Sequence, residues 1–266
     1  MSDEFDGLRI EVRPDGVAVV TFDRPATLNS LTGETLRDFI TGVRGLGERD
    51  DCGAIVVTGA NGAFTTGMDL GGTALSDGDK DLMRQVYEAM RYAVGATLIL
   101  RDIPQPVIAA VGGPAVGGGF ALAAAADIRF GSPDAMFLAP FLKLGVSVGD
   151  MGLSWMLPRL IGPGAAAEVL YSGTPLGAEE AHRLGLLQHV VHDPLEAALT
   201  LAAKIASRPR LAVRMSKELL NASISAGGLR EHMETEMRSQ VIGLMSDDHR
   251  AALKEFAARR HKDGKK

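Results

Sequence analysis

Residues 105–129 constrain the fold more than any other part of the sequence. They comprise an apolar run from Pro106 to Val111, five glycines within residues 112–119, and an alanine-rich run that ends at Asp127. This order predicts a buried strand, a glycine-rich turn and a helix. The N–H groups that Gly117–Gly119 leave uncovered at the helix start can hold an anionic oxygen such as an enolate. The alternative is that these glycines only allow close packing of the helix on the strand.

The composition indicates a globular chain with a sizeable core. The 266 residues are 46% apolar, enough for one large or two small domains. The 28 basic and 33 acidic residues give a net charge of −5, which argues against a nucleic-acid partner, although residues 259–266 are locally basic. A single cysteine, Cys52, excludes an internal disulfide framework. Residues 1–4 lack the pattern of a signal peptide, so a cytoplasmic protein is expected.

Residues 107–126 are uncharged over a length that is close to a membrane span. Their glycines, Pro114 and modest hydropathy would make a poor spanning helix, and no second candidate accompanies them. We therefore expect no membrane association.

Strands alternate with helices in the first half of the chain. The β-branched runs 17–22 and 54–58 predict strands, and apolar residues at helical spacing predict a helix between them, with Thr32 as N-cap and Gly47 as its end. A second helix is expected over 80–100. Beyond Asp127 a short strand is expected, and then mostly helices, over 151–160, 164–171, 177–183, 195–207 and three longer segments. The expected architecture is an α/β core over residues 1–200 and a C-terminal helical subdomain over 201–266.

A second glycine-flanked turn, residues 62–70, follows the strand 54–58. Ligands gather where strands of an α/β sheet end, and one N–H group from each of the two turns would make an oxyanion hole. Taken alone, this second turn would be an ordinary loop, but two such turns in one α/β core favour a shared site.

The chain resembles the crotonase superfamily, the enoyl-CoA hydratase/isomerase family, over nearly its whole length. No single motif decides the resemblance, but the ordered set is specific. The matching segments are residues 22–25, 28–31, 56–59, 63–70, 106–127, 157–162 and 178–191, and the helix that ends near Phe256.

The resemblance implies a spiral of ββα units, a helical trimerisation region, and a homotrimer or dimer of trimers that binds an acyl-CoA thioester. It gives the N–H groups of Met68 and Gly118 the role of oxyanion donors to the thioester carbonyl. It implies no cofactor apart from the coenzyme A of the substrate. It also implies a CoA-binding role for the following residues: Arg24, Ala26, Leu28, Thr66, Asp69 and Leu70 in the groove, and Phe256 and Lys262 toward a neighbouring subunit's CoA.

Two departures from the family pattern bear on the reaction. Hydratases of the family carry one catalytic glutamate two residues after the last glycine of the turn, and Ala121 stands there. The second follows a proline twenty residues later, where Phe141 follows Pro140. Hydration needs one group to activate water and another to supply a proton, so the two-glutamate mechanism cannot run in this chain.

Residues 149–158 resemble, without gaps, the segment that carries the catalytic aspartate in the dienoyl-CoA isomerase branch of the family, and the resemblance gives Asp150 that aspartate's place. The alternative is that Asp150 only caps a helix that begins at Met151. A lone carboxylate suits a proton shuttle between two carbons. Around it, Phe137, Phe141, Met151, Trp155 and Met156 would form an apolar wall that raises its pKa, or would be ordinary core.

These features favour an acyl-CoA enzyme that shifts a double bond through Asp150, with Met68 and Gly118 as oxyanion donors. The alternatives are a hydratase that uses Asp150 with a substrate-held water, and a member that binds acyl-CoA without turnover. No metal is expected, because His189 and His192 fall on opposite faces of one strand. No serine nucleophile is recognisable either.

Overall fold

The computed structural model describes residues 2–69 and 81–263, and these residues form ten strands and ten α-helices. The strands are β1 (Ser2–Phe5), β2 (Leu8–Val12), β3 (Val17–Phe22), β4 (Ala54–Gly59), β5 (Val107–Val111), β6 (Pro114–Val116), β7 (Ile128–Gly131), β8 (Met136–Leu138), β9 (Leu176–Gly177) and β10 (His189–Val190). The helices are α1 (Gly33–Gly47), α2 (Leu82–Asp102), α3 (Gly118–Ala125), α4 (Leu153–Ile161), α5 (Pro163–Ser172), α6 (Ala178–Arg183), α7 (Pro194–Ala206), α8 (Arg210–Ser223), α9 (Leu229–Met245) and α10 (Asp247–Asp263).

The larger sheet has seven strands in the order β1-β2-β3-β4-β5-β7-β10. The first three strands are antiparallel, and β3, β4, β5, β7 and β10 are parallel. Helices connect the parallel strands β3, β4 and β5, as the alternation of elements along the chain predicts. The expected α/β architecture is therefore observed.

The glycine block holds an extra strand that its sequence does not indicate. Gly112 and Gly113 are separated from Gly117–Gly119 by β6, which pairs with β8 in a second sheet, ordered β6-β8-β9. The expected single turn is thus two turns, and the second one leads directly into α3. As a result, the N-terminus of α3 is fixed by backbone pairing immediately before it.

The core lies on both faces of the parallel strands. One face packs against α1, α2 and α3 through large side chains that include Phe22, Phe39 and Phe64. The other face packs against α7, whose Ala198 and Ala202 are fully buried. Burial on both faces explains why the sequences of β4 and β5 are apolar, except for Thr58, rather than alternating.

Local signals set the helix boundaries in several places. The Thr32 hydroxyl accepts a hydrogen bond from the Thr35 N–H at 3.0 Å, so Thr32 caps α1, and α1 ends at Gly47 as expected. The helix expected over 80–100 is α2. The uncharged stretch 107–126 forms β5, β6 and α3 instead of one long helix. Within the described ranges, none of the helices combines the length and apolar character that crossing a bilayer requires.

The chain divides into two compact units, residues 1–206 and 207–266. The boundary expected at residue 200 falls inside α7, which packs on the sheet of the first unit through β4, β5 and β7. The second unit consists of α8, α9 and α10, with side-by-side contacts of α9 to both α8 and α10.

Candidate active site

The loop from Phe64 to Asp69 is held by backbone hydrogen bonds on two sides. On one side the Val116 N–H donates to the Thr65 carbonyl at 2.9 Å. On the other side the Leu31 N–H donates to the Gly67 carbonyl at 2.8 Å, and the Asp69 N–H donates to the Leu31 carbonyl at 2.9 Å. Successive peptide groups of an extended chain point in opposite directions, so the Met68 N–H points away from Leu31.

Gly67 allows this loop to approach the start of α3. Its φ is +81°, and a Cβ there would lie 2.5 Å from the Val116 carbonyl oxygen. The same Cβ position is 3.4 Å from the nitrogen of Gly118. Only glycine fits this contact without strain. The Gly67–Met68 peptide is thereby placed beside the first N–H group of α3.

Met68 and Gly118 each present a backbone N–H without an acceptor. Gly118 is the first residue of α3, where the N–H groups have no partner inside the helix. Among residues 2–69 and 81–263, neither the Met68 N–H nor the Gly118 N–H donates a hydrogen bond. Two adjacent unsatisfied donors, one of them at a helix N-terminus, have the composition of an oxyanion hole.

The two positions that the family resemblance assigns to glutamates hold apolar side chains. Ala121 lies in α3, is fully buried, and donates its N–H to the Gly117 carbonyl at 3.1 Å. Phe141 begins a short 3-10 turn, Phe141–Leu144, and its ring edge lies 3.8 Å from the Cβ position of Gly117. The surroundings of the glycine turn are therefore apolar at both positions.

Asp150 is a half-buried carboxylate in the loop before α4. Burial raises its pKa above the ordinary value of 3.8, and a hydrogen bond from the Met151 N–H opposes this shift. A carboxylate with a raised pKa is closer to the range that suits a general base and acid.

The alternative role of Asp150, as the cap of a helix that begins at Met151, does not hold. Helix α4 begins at Leu153 with Gly152 as its N-cap, and the residues between Asp150 and the helix have left-handed backbone, with φ 46° at Met151 and 80° at Gly152. The Asp150 side chain makes no capping hydrogen bond to the helix, whereas its carbonyl accepts the Leu153 N–H at 2.9 Å. Helix capping therefore does not explain the presence of a carboxylate at this position.

Met151 connects the Asp150 loop to the glycine turn. Its side chain is fully buried, and its Sδ lies 2.8 Å from the Cβ position of Gly118. Asp150 is consequently one residue away from a side chain that packs against Gly118. Sequence reasoning did not anticipate this contact, because the left-handed Met151 that creates it has no pattern in the sequence.

The residues expected as an apolar wall divide into two groups. Phe137, Phe141, Met151 and Met156 belong to the buried core. Trp155 is 45% exposed, and the Arg159 guanidinium lies 4.0 Å from the centre of its ring. Trp155 is thus at the surface, whereas the other four side chains are buried.

The residues expected to line a CoA groove come together in two linked loops. The Thr66 N–H and hydroxyl both donate to the Leu28 carbonyl at 3.2 Å. The Arg24 guanidinium donates to the Ser30 carbonyl at 2.7 Å and lies 3.8 Å from the Asp69 carboxylate. Arg24 and Asp69 therefore interact with each other. Ala26 is exposed on the 3-10 turn Pro25–Thr27, next to Leu28.

The remaining expected binding residues are Leu70, Phe256 and Lys262. Leu70 lies outside the described residues. Phe256 and Lys262 are on α10 in the second unit, and Phe256 is 61% exposed.

Asn29 organises the same region and was not singled out from the sequence. Its buried side-chain amide donates to the carbonyls of Ala60 and Ala63, both at 2.9 Å, and its Oδ1 accepts the Arg24 N–H at 2.9 Å. The signal was present, because Asn29 lies in one of the segments that carry the family resemblance. Its role depends on contacts more than 30 residues away in sequence, which the sequence does not show.

Across the described parts of the chain, no group of three or more His, Cys, Asp or Glu side chains is arranged to hold a metal ion. Of the two histidines expected in one strand, only His189 lies in β10, where its ring stacks on Phe130 with ring centres 4.5 Å apart.

Comparison with protein families gives one match over almost the entire sequence. Residues 12–265 match the family described as enoyl-CoA hydratase/isomerase. "Probable enoyl-CoA hydratase EchA14" of Mycobacterium tuberculosis (strain ATCC 25618 / H37Rv) is 37% identical over 245 residues, which cover 91% of this chain and 92% of that protein. "Probable enoyl-CoA hydratase EchA12" of the same strain is 35% identical over 234 residues, which cover 86% and 82%.

Solved structures share the fold over nearly the full length. A crystal structure of an enoyl-CoA hydratase from Bacillus anthracis has a TM-score of 0.88 at 30% identity and covers 95% of this chain and 96% of that one. The structure of Pseudomonas aeruginosa DspI has a TM-score of 0.86 at 30% identity, with 97% and 96% covered. The α/β fold with a helical C-terminal part is therefore common to this chain and these proteins.

Proposed function

Because the chain belongs to the enoyl-CoA hydratase/isomerase family of acyl-CoA enzymes, we propose that it moves a carbon–carbon double bond of an enoyl-CoA by proton transfer through Asp150. The observation that carries this proposal is the combination of two unsatisfied N–H groups with a single half-buried carboxylate, while Ala121 and Phe141 occupy the positions of the family's glutamates.

The N–H groups of Met68 and Gly118 bind the thioester oxygen. Removal of a proton next to the thioester places negative charge on that oxygen, and donors fixed in position before the reaction stabilise the charge as it forms. Such a donor contributes about 3 to 4 kcal/mol to transition-state stabilisation in other enzymes. The helix dipole of α3, whose positive end lies at Gly118, acts in the same direction.

Asp150 carries the proton. Its ionised carboxylate removes a proton from C2 of a 3-enoyl-CoA, and the electron pair delocalises over the former double bond and the thioester oxygen. The carboxylic acid so formed returns the proton to C4, which leaves the double bond between C2 and C3 and restores the carboxylate. No other reactant is consumed, so the reaction needs no resident cofactor beyond the CoA of its substrate.

The apolar surroundings support the shuttle and disfavour hydration. Burial raises the pKa of Asp150 and so brings it closer to the pKa of the substrate carbon that loses the proton. Ala121 and Phe141 cannot hydrogen-bond to an attacking water. A water in the site would therefore lack the two carboxylates that activate it in the family's hydratases.

The test is to incubate the purified protein with 3-enoyl-CoA and 2-enoyl-CoA substrates and to compare the wild type with Asp150→Asn. We expect the variant to isomerise about 100- to 10,000-fold more slowly, because a general acid–base group contributes about that factor. KM should change little, since both N–H donors remain in place.

The matched control is Asp134→Asn, which removes an exposed carboxylate outside the site and should leave the rate unchanged. Unchanged isomerisation by Asp150→Asn would rule out Asp150 as the proton carrier. Tight acyl-CoA binding without turnover of any substrate would instead indicate a binding protein.

Hydration is the second candidate, and the names of the EchA12 and EchA14 relatives favour it. In that case Asp150 would act on a water that the bound substrate holds in place. Formation of 3-hydroxyacyl-CoA from a 2-enoyl-CoA, lost in Asp150→Asn, would distinguish this reaction from isomerisation.

A further inference from the structure

A groove of about 740 Å³ separates the outer faces of α1 and α2, away from the residues of the candidate active site. The two helices lie side by side and run in the same direction. Ile40 of α1 contacts Gly95 of α2, with its Cδ1 3.2 Å from the glycine's Cβ position, and Gly47 at the end of α1 meets Ile103 just after α2. The volume is in the range of small-molecule sites, about 300 to 1,000 Å³.

Three arginines line this groove. Arg37 and Arg44 lie two turns apart on α1, and Arg91 lies on α2. Within the described ranges, none of the three has a carboxylate oxygen within 4.0 Å. Seven other arginines at the surface of the described residues do have one. Those pairs are Arg9–Asp23, Arg13–Asp15, Arg49–Asp51, Arg84–Asp81, Arg183–Glu180, Arg214–Glu218 and Arg250–Asp247.

The groove also has an aromatic and an apolar surface. The Arg37 guanidinium lies 5.9 Å from the centre of the Tyr92 ring, within cation–π range. Ile40 and Ile99 also line the groove. The groove therefore offers cations and a flat apolar surface at the same place.

Two carboxylates line the groove and limit where an anion can bind. Glu88 lies 3.6 Å from the Arg84 guanidinium, which also pairs with Asp81. Asp102 lines the groove from the last position of α2. Two of the three arginines, Arg37 and Arg91, lie near Tyr92, so that part of the groove is the more favourable one for an anion.

We propose that the α1–α2 groove is a second ligand site, which binds an adenosine diphosphate group with its phosphates on Arg37 and Arg91 and its base toward Tyr92. Guanidinium groups bind phosphate oxygens with paired, charge-assisted hydrogen bonds, and their planar shape matches that geometry. An aromatic ring beside the cations favours a ligand that has a planar base as well as phosphates. The protein is acidic overall, with a net charge of −5, so this groove is a local exception.

Two sources of this group are possible: a free nucleotide that regulates the enzyme, or the adenosine diphosphate end of coenzyme A. The test of this proposal measures ADP binding, so its result does not depend on which reaction the catalytic site performs. Failure of this proposal therefore leaves the proposed isomerisation untouched, and the reverse also holds.

The experiment is calorimetric titration of ADP into the full-length wild type, into Arg37→Ala/Arg91→Ala, and into Arg13→Ala/Arg49→Ala. The last variant makes the same change of charge at exposed arginines outside the groove. We expect ADP binding to weaken about 10-fold or more in the groove variant, since hydrogen bonds to charged groups contribute that much, and to remain as in the wild type in the control. Added salt should weaken the wild-type affinity.

Equal ADP affinity in the groove variant and the control would overturn the proposal, as would absence of ADP binding to the wild type up to about 1 mM. Repeating the titrations with saturating CoA identifies the source. ADP binding that persists indicates a free nucleotide. ADP displaced by CoA, together with weaker CoA binding by the groove variant, indicates the substrate's own ADP end. If CoA displaces ADP and the groove variant still binds CoA normally, ADP binds at the catalytic site. That result would refute the groove as the ADP site.

Discussion

Asp150 shows how burial couples chemistry to stability at the level of a single residue. Because its pKa in the folded protein lies above the value of 3.8 in an unfolded chain, the folded protein holds the proton more tightly. Its contribution to stability is fully present below pH 3.8 and is lost as the pH rises through the raised pKa. At neutral pH the ionised carboxylate therefore costs stability.

We predict that Asp150→Asn melts at a higher temperature than the wild type at neutral pH. Asparagine keeps the shape but not the buried charge, so the desolvation cost disappears. The difference in melting temperature should grow as the pH rises from about 4 to 7, near and above the ordinary pKa of aspartate. Differential scanning fluorimetry at several pH values measures it. If the melting temperature of Asp150→Asn, measured relative to the wild type, fell between pH 4 and pH 7, the result would contradict this account.

Gly67 is the residue on which the approach of the two loops depends. In Gly67→Ala the added Cβ would meet the Val116 carbonyl at a φ of +81°, so the loop must move away from α3. We expect a loss of about 1 to 3 kcal/mol in the free energy of unfolding and about a 100- to 1,000-fold lower isomerisation rate, as for loss of one oxyanion donor.

Chemical denaturation and steady-state kinetics check both parts of the Gly67 prediction. Gly62→Ala serves as the control, because Gly62 also has a positive φ, +80°, but its Cβ position has no atom within 4 Å. That control should lose comparable backbone stability and retain the rate. A normal isomerisation rate in Gly67→Ala would show that catalysis does not depend on the position of the Met68 N–H.

Residue-level features were predictable where the signal is local. The Thr32 cap depends on residues three positions apart, and the donors at Gly118 follow from glycines at a helix start. The alternative that Asp150 caps a helix fails because Met151 and Gly152 adopt left-handed backbone and the helix begins only at Leu153. The Arg24–Asp69 contact joins residues 45 positions apart and leaves no local pattern.

At the scale of elements, the opposite end of α3 is fixed by a buried arginine. Arg129 of β7 donates to the carbonyls of Ala124 and Ala126 at the end of α3, at 3.3 and 2.5 Å, and to the Leu186 carbonyl at 2.7 Å. Burial lowers its pKa to about 10, which leaves the guanidinium charged at neutral pH. A cation at the C-terminus of a helix also stabilises the helix dipole.

We predict that Arg129→Met lowers the free energy of unfolding by about 3 to 5 kcal/mol, because it removes the charged donor of three buried carbonyls, of which only that of Leu186 keeps another side-chain donor, the Gln188 amide at 3.4 Å. Urea denaturation followed by circular dichroism measures the loss. Arg49→Met removes an arginine that is partly exposed and paired with Asp51, so it should cost less than about 1 kcal/mol. Similar losses in the two variants would show that Arg129 does not hold α3.

Most elements followed from periodicity, and the exceptions have clear reasons. The runs at β3 and β4 and the apolar spacing of α1 indicate their structures directly. β6 has only three residues, Pro114–Val116, which is too short for any alternation to be visible. It exists because β8 pairs with it from 22 residues away, and that pairing is not encoded locally.

On the scale of the whole molecule, α9 carries apolar side chains that the second unit leaves exposed. Met233, Met237, Val241 and Leu244 recur at helical spacing on one face, and all four are exposed. Exposed apolar surface of this kind is typical of association sites. The homotrimer or dimer of trimers expected from the family resemblance would cover it.

We predict that Met237→Glu/Val241→Glu shifts the protein to smaller species, because charges replace the apolar contacts. Size-exclusion chromatography with light scattering measures the mass. Thr235→Glu adds a charge on the other side of α9 and should keep the assembly. A wild type that is monomeric, or a double variant with unchanged mass, would show that this face is not an interface.

Ala121 and Phe141 leave the glycine turn without the carboxylate pair that positions water in the family's hydratases. If the reaction is the proposed isomerisation, substrate and product contain the same atoms, and the equilibrium ratio between them does not depend on water activity. A hydration equilibrium would shift back toward the enoyl-CoA as glycerol or sucrose lowers that activity. Two buried apolar side chains would thus make the direction of the enzyme's reaction insensitive to how concentrated the surrounding solution becomes.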